Sequence, residues 1–399
     1  MTDTATPRTG LPQSWLLMLG ALIGIAPLSI DMYLPSFPAI EAALGRGAQV
    51  TLAAFFIGLA LGQLVYGPVS DRVGRKPPLY AGLALYVLGS LGCLFAGSIE
   101  QLALLRFAQG LGGCAGMVLA RAVVRDRCEP REAARAFSLL MLVMGLAPIL
   151  APLLGGWILT VADWHAIFAV QAGFGICCLV AIHFGLSETH DTRHAEPLAF
   201  GKVLRGYGEL LRERGFLGYT LATGLAQAGM FAYIAGSPLV LIQQYGIAPQ
   251  HYGWVFGSNA LGLIAASQIN ARLLGKHALT TLLRRALWLP AGAGLALLLI
   301  SLTGQPPLPL LLLGLFIFVG SLGFISPNGS AAALAGHGQR AGSASALMGA
   351  MQFGLATVAG IAMASWRNDT ALPLAAAMAC FGLGALLVHR LLVGQIKPA

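Results

Sequence analysis

Twelve long apolar runs follow one another along the chain, each closed by glycine, proline or charge. They cover roughly residues 15–37, 50–70, 78–97, 101–124, 134–160 and 164–186, and then 216–241, 252–271, 282–302, 308–334, 342–364 and 372–392. A helix needs about 20 predominantly apolar residues to cross hydrocarbon, and every run reaches that length. The pattern predicts an all-α polytopic membrane protein of twelve transmembrane helices. Residues 187–215 differ from the rest, because Glu188, Asp191, Arg193, Glu196, Lys202, Arg205, Glu209, Arg212, Glu213 and Arg214 crowd into them. This cytoplasmic linker divides the chain into two six-helix halves, 15–186 and 216–393, with short tails at 1–14 and 394–399. Equal halves joined by a polar linker are the mark of an internal, pseudo-symmetric repeat.

Composition sharpens the picture. Apolar residues make up 57% of the 399 without glycine, 52 glycines add about 13%, and only 10% are charged. A soluble fold carries about 25% charged residues and cannot hide that much apolar surface. The formal net charge of +9 does not point to nucleic acid, since the basic residues stand in short clusters between apolar runs. Their sides fix an orientation. With the N-terminus inside, 21 of the 24 fall on the inner face, Arg46 and Arg367 on the outer, and Arg106 within the fourth run. Both termini are therefore expected in the cytoplasm. The first run is too long for the core of a cleavable leader and lacks a small-residue cleavage site. The six cysteines have neither zinc-site nor disulfide spacing and read as packing residues. His183 and His389 stand near inner span ends, where reaching toward water is the plain reading.

Charge inside hydrocarbon is expensive and marks function. Only Asp31 among the acids and Arg106 among the bases lie well inside a run. Asp31 is about six residues, or about 9 Å, before the outer end of the first run, and Arg106 about five residues, or about 8 Å, past the outer start of the fourth. Similar depth makes them candidate partners. Asp31 is then either a proton-exchanging carboxyl or half of a static pin, and Arg106 can also bond carbonyls freed near Pro27 or Pro35. Tyr33, Phe55, Gln109, Tyr233, Asn259, Asn328 and Gln352 are candidates for a substrate cavity; polar ones among them can equally be interhelical hydrogen bonds.

Three stretches carry a resemblance to a known family. GPVSDRVGRK at 67–76 resembles motif A of the major facilitator superfamily, with Gly67 for close helix approach and Asp71, Arg72, Gly74, Arg75 and Lys76 at the inner gate. LLRFAQGLGG at 104–113 resembles motif B, with Arg106 and Gly110 in place and Arg121 further along the same helix. GLAPILAPLLGG at 145–156 resembles the antiporter motif C, a kinked, smooth-faced helix built on Gly145, Pro148, Pro152, Gly155 and Gly156. DMYLPSFP at 31–38 and ARAVVRD at 120–126 narrow the resemblance to the Bcr/CflA group of drug:proton antiporters. The second-half counterpart of motif A, INARLLGK at 269–276, has no acid, so the gate is asymmetric.

The resemblance implies the major facilitator fold and a monomeric, multi-pass protein of the bacterial inner membrane. It implies alternating access, with Asp31 and Arg106 in proton coupling, Asp71 and Arg75 as the inner latch, and motif C sealing a leak path between halves. The implied function is proton-coupled efflux of small lipophilic or weakly charged substrates, among them antibiotics. Export of an endogenous amino acid or sugar, with drugs as incidental cargo, is the rival within transport; a transport-inactive receptor or sensor is the rival outside it. The sequence has no HExxH, no paired catalytic acids within a span and no phosphate-binding loop. An enzyme, a metal site and a cofactor are accordingly not expected, nor is a nucleic-acid partner.

Overall fold

The computed structural model describes residues 12–190, 200–366 and 370–394. The remaining residues, which carry Arg8, Arg193, Arg367 and Lys397 of the orientation argument, lie outside the described ones.

The described chain is helical throughout. The first group comprises α1 (Gln13–Asp31), α2 (Phe37–Leu44), α3 (Ala48–Val73), α4 (Lys76–Cys93), α5 (Ile99–Arg127), α6 (Pro130–Val161) and α7 (His165–Gly185). After α8 (Phe200–Arg212) comes the second group: α9 (Arg214–Pro238), α10 (Pro249–Leu273), α11 (Leu279–Ala286), α12 (Trp288–Leu302), α13 (Leu308–Leu334), α14 (Ala341–Ser365) and α15 (Leu372–Val388). Ten helical segments among the described residues are long and apolar enough to cross a membrane. Large apolar side chains such as Phe184 (84% exposed) and Leu17 (76%) project outward, where only lipid can cover them.

Glycine lets the helices close on one another. A Cβ at Gly110 of α5 would lie 2.2 Å from the carbonyl oxygen of Phe55 on α3, and one at Gly58 would lie 2.3 Å from that of Phe107. Gly67, expected to serve such an approach, has nothing within 4 Å; Gly58 and Gly62, higher on α3, take that role. The two groups meet along two seams, α3 against α14 and α6 against α10.

Two elements differ from the sequence expectation. The first run continues past residue 37 to Leu44, interrupted by a 3₁₀ turn at Leu34–Ser36. Pro35 and Pro38 explain the break, since each removes an N–H that would have bonded a carbonyl four residues back, at Asp31 and Leu34. The linker is also more than a polar tether. In α8, Val203, Tyr207 and Leu210 repeat at helical spacing, and Tyr207 and Leu210 bury themselves with Phe216, Ala333, Ala344 and Leu347. The Tyr207 hydroxyl donates to the Leu64 oxygen at 3.5 Å, and Arg340 pairs with Glu209 at 2.6 Å. The helix thus touches both groups at the motif A end. His389 does not reach toward water: it is buried, and its Nε2 has no hydrogen-bond partner among the described residues.

Candidate functional site

Arg106 is fully buried on the face of α5 that meets α1 and α3. Its Nη2 donates to the Ser29 oxygen at 3.0 Å and its Nη1 to Gln109 Oε1 at 2.6 Å. Ser29 lies in the last turn of α1, whose carbonyls have lost their helical donors, so the guanidinium acts as a C-terminal cap. Gln109 is held in turn, its Nε2 donating to Ser90 Oγ and Gln171 Oε1, each at 2.7 Å. The Tyr33 and Phe55 rings lie 4.6 and 4.3 Å from the guanidinium carbon, a distance at which the ring faces attract a cation. Tyr33, Phe55 and Gln109, expected as cavity wall, here surround Arg106.

Asp31 is not the partner of Arg106. Its carboxyl, on a residue 4% exposed, makes neither hydrogen bond nor ion pair among the described residues. It stands instead within electrostatic range of Tyr233 and Tyr252 in the second group. Similar depth did not imply a shared side. The end of α1 turns Ser29 toward α5 and Asp31 toward α9 and α10, two residues or about 200° further round the helix. Depth shifts as well, because Asp31 precedes the true end of the segment at Leu44 by 13 residues (44 − 31), not six. Beside it, Asn259 donates to the Tyr233 hydroxyl at 2.8 Å, and Ser237 and Tyr252 share a hydrogen bond of 2.8 Å.

Of the other cavity candidates, Asn328 is closed in a reciprocal pair with Asn270, with bonds of 2.7 and 3.3 Å clamping α13 to α10. Gln352 is half-buried on α14, beside Gly224. Phe56 lies 4.8 Å from Phe231 and 6.3 Å from Phe353, ring to ring, an aromatic cluster joining α3 to α9 and α14. Arg121 is half-buried, without a partner among the described residues.

Motif C divides its work. A Cβ on Gly156 would lie 2.5 Å from the Pro249 oxygen, at the start of α10 in the second group, and Gly145 faces Ile264 of the same helix. Gly155 turns the other way, against the Met32 oxygen of its own group, one residue past Asp31. Pro148 and Pro152 both lie inside α6.

At the motif A end, Arg75 is the hub. It bonds Asp126 through Nε at 2.8 Å and Nη2 at 3.2 Å, and pairs with Asp71 through Nη1. Burial weakens its charge, but the bonds to Asp126 and Asp71 more than offset this and raise its pKa. Asp126 and Glu188 were both missed as site residues, although Asp126 closes the ARAVVRD stretch. Glu188 accepts the backbone N–H groups of Arg75 and Lys76 at 2.8 and 3.0 Å, capping α4 from the far end of the first group. Gly74 makes room for it with φ of 92°, and a Cβ there would meet the Glu188 carboxylate at 2.6 Å. Lys76 lies over Tyr80, and Arg72 ends α3.

The environment of Glu188 predicts an acid-sensitive clasp. Burial raises its pKa, and four backbone N–H bonds outweigh that and leave it lowered. A lowered folded value means stabilisation present above the ordinary glutamate range, about 4.3, and lost as pH falls through the lowered value. Glu188→Gln is expected to flatten the acid limb of thermal stability; an unchanged limb would remove the clasp from consideration.

The model of the family described as "Major Facilitator Superfamily" matches residues 19–361. The chain belongs to that superfamily. Among curated relatives it is 39% identical to "Uncharacterized MFS-type transporter YdgK" of Bacillus subtilis, over 90% of each chain. It is 34% identical to "Bicyclomycin resistance protein homolog" of Haemophilus influenzae, over 96% of this chain and 97% of that one. These relatives place this major facilitator in the Bcr/CflA-like drug-antiporter family. A crystal structure of peptide transporter POT in complex with sulfate superposes with a TM-score of 0.76 over 99% of this chain and 98% of that one, at 16% identity, which speaks to the fold alone.

Proposed function

We propose that the protein is a proton-coupled efflux antiporter for small lipophilic or weakly charged molecules, antibiotics among them, working by alternating access in the bacterial inner membrane. The carrying observation is the Asp31 carboxyl, buried without cation or donor among the described residues at the break after α1 and turned toward the second group. An ionised carboxylate so placed is uncompensated and costs several kcal/mol by most estimates, so Asp31 holds a proton in this state. Opening the centre to water lets it leave.

In this reading twelve spans form two pseudo-symmetric halves, 15–186 and 216–393, with 187–215 and both termini in the cytoplasm. A monomer suffices. α1 and α2 make one broken span, as do α11 and α12. Arg106 does not exchange the proton; it fixes the end of α1, and so the position of Asp31. Substrate and proton each favour one arrangement of the halves, which a carrier requires. Motif A, with Arg75 between Asp71 and Asp126, stiffens the cytoplasmic end of the first half, and α8 ties it to the second.

The decisive experiment is reconstitution into liposomes under an imposed pH gradient. Uphill substrate accumulation, with protons moving the opposite way, is the expected result. Accumulation indifferent to the gradient would reduce the protein to a facilitator, and binding without counterflow would leave a receptor. The latch predicts an order as well. Asp126 is 17% exposed and holds Arg75 twice, Asp71 is 63% exposed and holds it once. Asp126→Asn should slow turnover more than Asp71→Asn, with substrate affinity little changed in either. Equal turnover in the two variants would refute Asp126 as the anchor.

A further inference from the structure

A cavity of about 350 Å³ opens between the two groups at the end opposite motif A. Its walls come from both sides: Glu41 of α2, Arg46 and Gln49 from the first group, Gln243, Gln244 and Trp366 from the second. We propose that this chamber is a second solute site, a release vestibule for neutral molecules rich in amide and hydroxyl groups. The proposal rests on the orientation given above, which puts the chamber on the outer face.

The lining selects for that chemistry. One acid and one base offset each other, so the chamber offers no net charge to a cation or an anion. Glu41 is further occupied, its Oε1 accepting the N–H groups of Gly47 and Ala48 at 3.0 and 3.2 Å. Gln243 and Gln244 stand in the other wall, and a primary amide both donates and accepts, the pairing that an amide or hydroxyl solute answers. The Gln244 Oε1 is buried with no partner among the described residues, an acceptor that a ligand N–H or O–H satisfies. Trp366, half-exposed, supplies an apolar face. Both walls are irregular: the first is hung on the 3₁₀ break at Leu34–Ser36, and the second is a π-helical turn at Leu239–Gln244. Such turns inside helices gather at functional sites, and the π-helical one gives the chamber Leu239, Val240, Gln243 and Gln244. Arg46 adds a separate argument, since cations are depleted from the outer face and this one of the two retained there stands in the wall.

The test uses Gln243→Cys, an exposed position, with Cys177 and Cys380 replaced by serine and transport verified. Right-side-out vesicles are treated with a membrane-impermeant maleimide, with bicyclomycin (a neutral, hydroxylated bis-amide) or ethidium (a lipophilic cation) present. Bicyclomycin is expected to slow labelling saturably and ethidium not to. Adding Gln244→Leu is expected to raise the protecting bicyclomycin concentration about tenfold, the loss of one buried hydrogen bond. Labelling from outside that bicyclomycin never slows, or protection indifferent to Gln244→Leu, would overturn the site and leave the orientation standing. Labelling only in inside-out vesicles would overturn the orientation, and with it the vestibule.

Discussion

Asp31→Asn is expected to bring gradient-driven efflux down to the level of empty vesicles while leaving the protein folded. Asparagine keeps the shape of the side chain and the neutral form that the buried site favours. No ion pair among the described residues is broken, because Asp31 makes none there. The stability change should stay within about 1 kcal/mol of the parent, small beside the losses seen when a buried pair is cut. What disappears is the group proposed to gain and lose a proton as the halves exchange positions. Downhill counterflow of substrate should survive, since it needs the cavity and the rocking but not the proton. Efflux assayed with and without a pH gradient, beside counterflow and thermal unfolding on one preparation, separates these terms. Normal gradient-driven efflux from the variant would remove Asp31 from coupling, and a collapse of counterflow as well would make it a structural residue.

That Asp31 and Arg106 are buried charges within the spans was legible in the sequence, and how they are arranged was not. Hydropathy places Asp31 and Arg106 inside runs and gives their approximate depth. It does not give the angle at which a side chain leaves a helix just as that helix breaks. Ser29 and Asp31 are two residues apart and face opposite neighbours, so a comparison of depths paired the wrong groups. Arg106 binding a span-one carbonyl was foreseeable, because helix ends release carbonyls wherever proline follows. Asp126 and Glu188 stayed hidden for another reason. Each looks like an ordinary inner-face acid until the fold brings it to Arg75 from 51 and 113 positions away. Helix α8 was concealed by composition, since charges around Val203, Tyr207 and Leu210 hold the average down while those three still form one face. The long helices themselves were legible to within about four residues at every end but that of the first run. The run expected at 308–334 is the observed helix Leu308–Leu334, because in lipid the backbone must bond to itself and only a continuous apolar helix can do so.

Gly155→Ala should be the most damaging single methyl added to motif C. The new Cβ would stand 2.0 Å from the Met32 oxygen and 2.9 Å from its carbon, backbone atoms that cannot swing aside as a flexible side chain can. Overpacking a tight core typically costs about 1–3 kcal/mol, and an immovable obstacle puts this variant at the upper end. The strain falls on the residue next to Asp31, so coupling should fail together with stability. Gly156→Ala pushes on the Pro249 oxygen at 2.5 Å, across the seam between halves. Its expected signature is different: a seam that no longer closes, read as proton leak into vesicles without substrate. Gly145→Ala meets only the Ile264 Cδ1 at 3.4 Å and should be nearly silent. Thermal unfolding, efflux and substrate-free acidification, measured on the three variants together, distinguish a packing requirement at defined contacts from a general need for helix flexibility. The packing account demands that Gly155→Ala and Gly145→Ala differ widely; comparable losses in both would point to flexibility along the whole of α6.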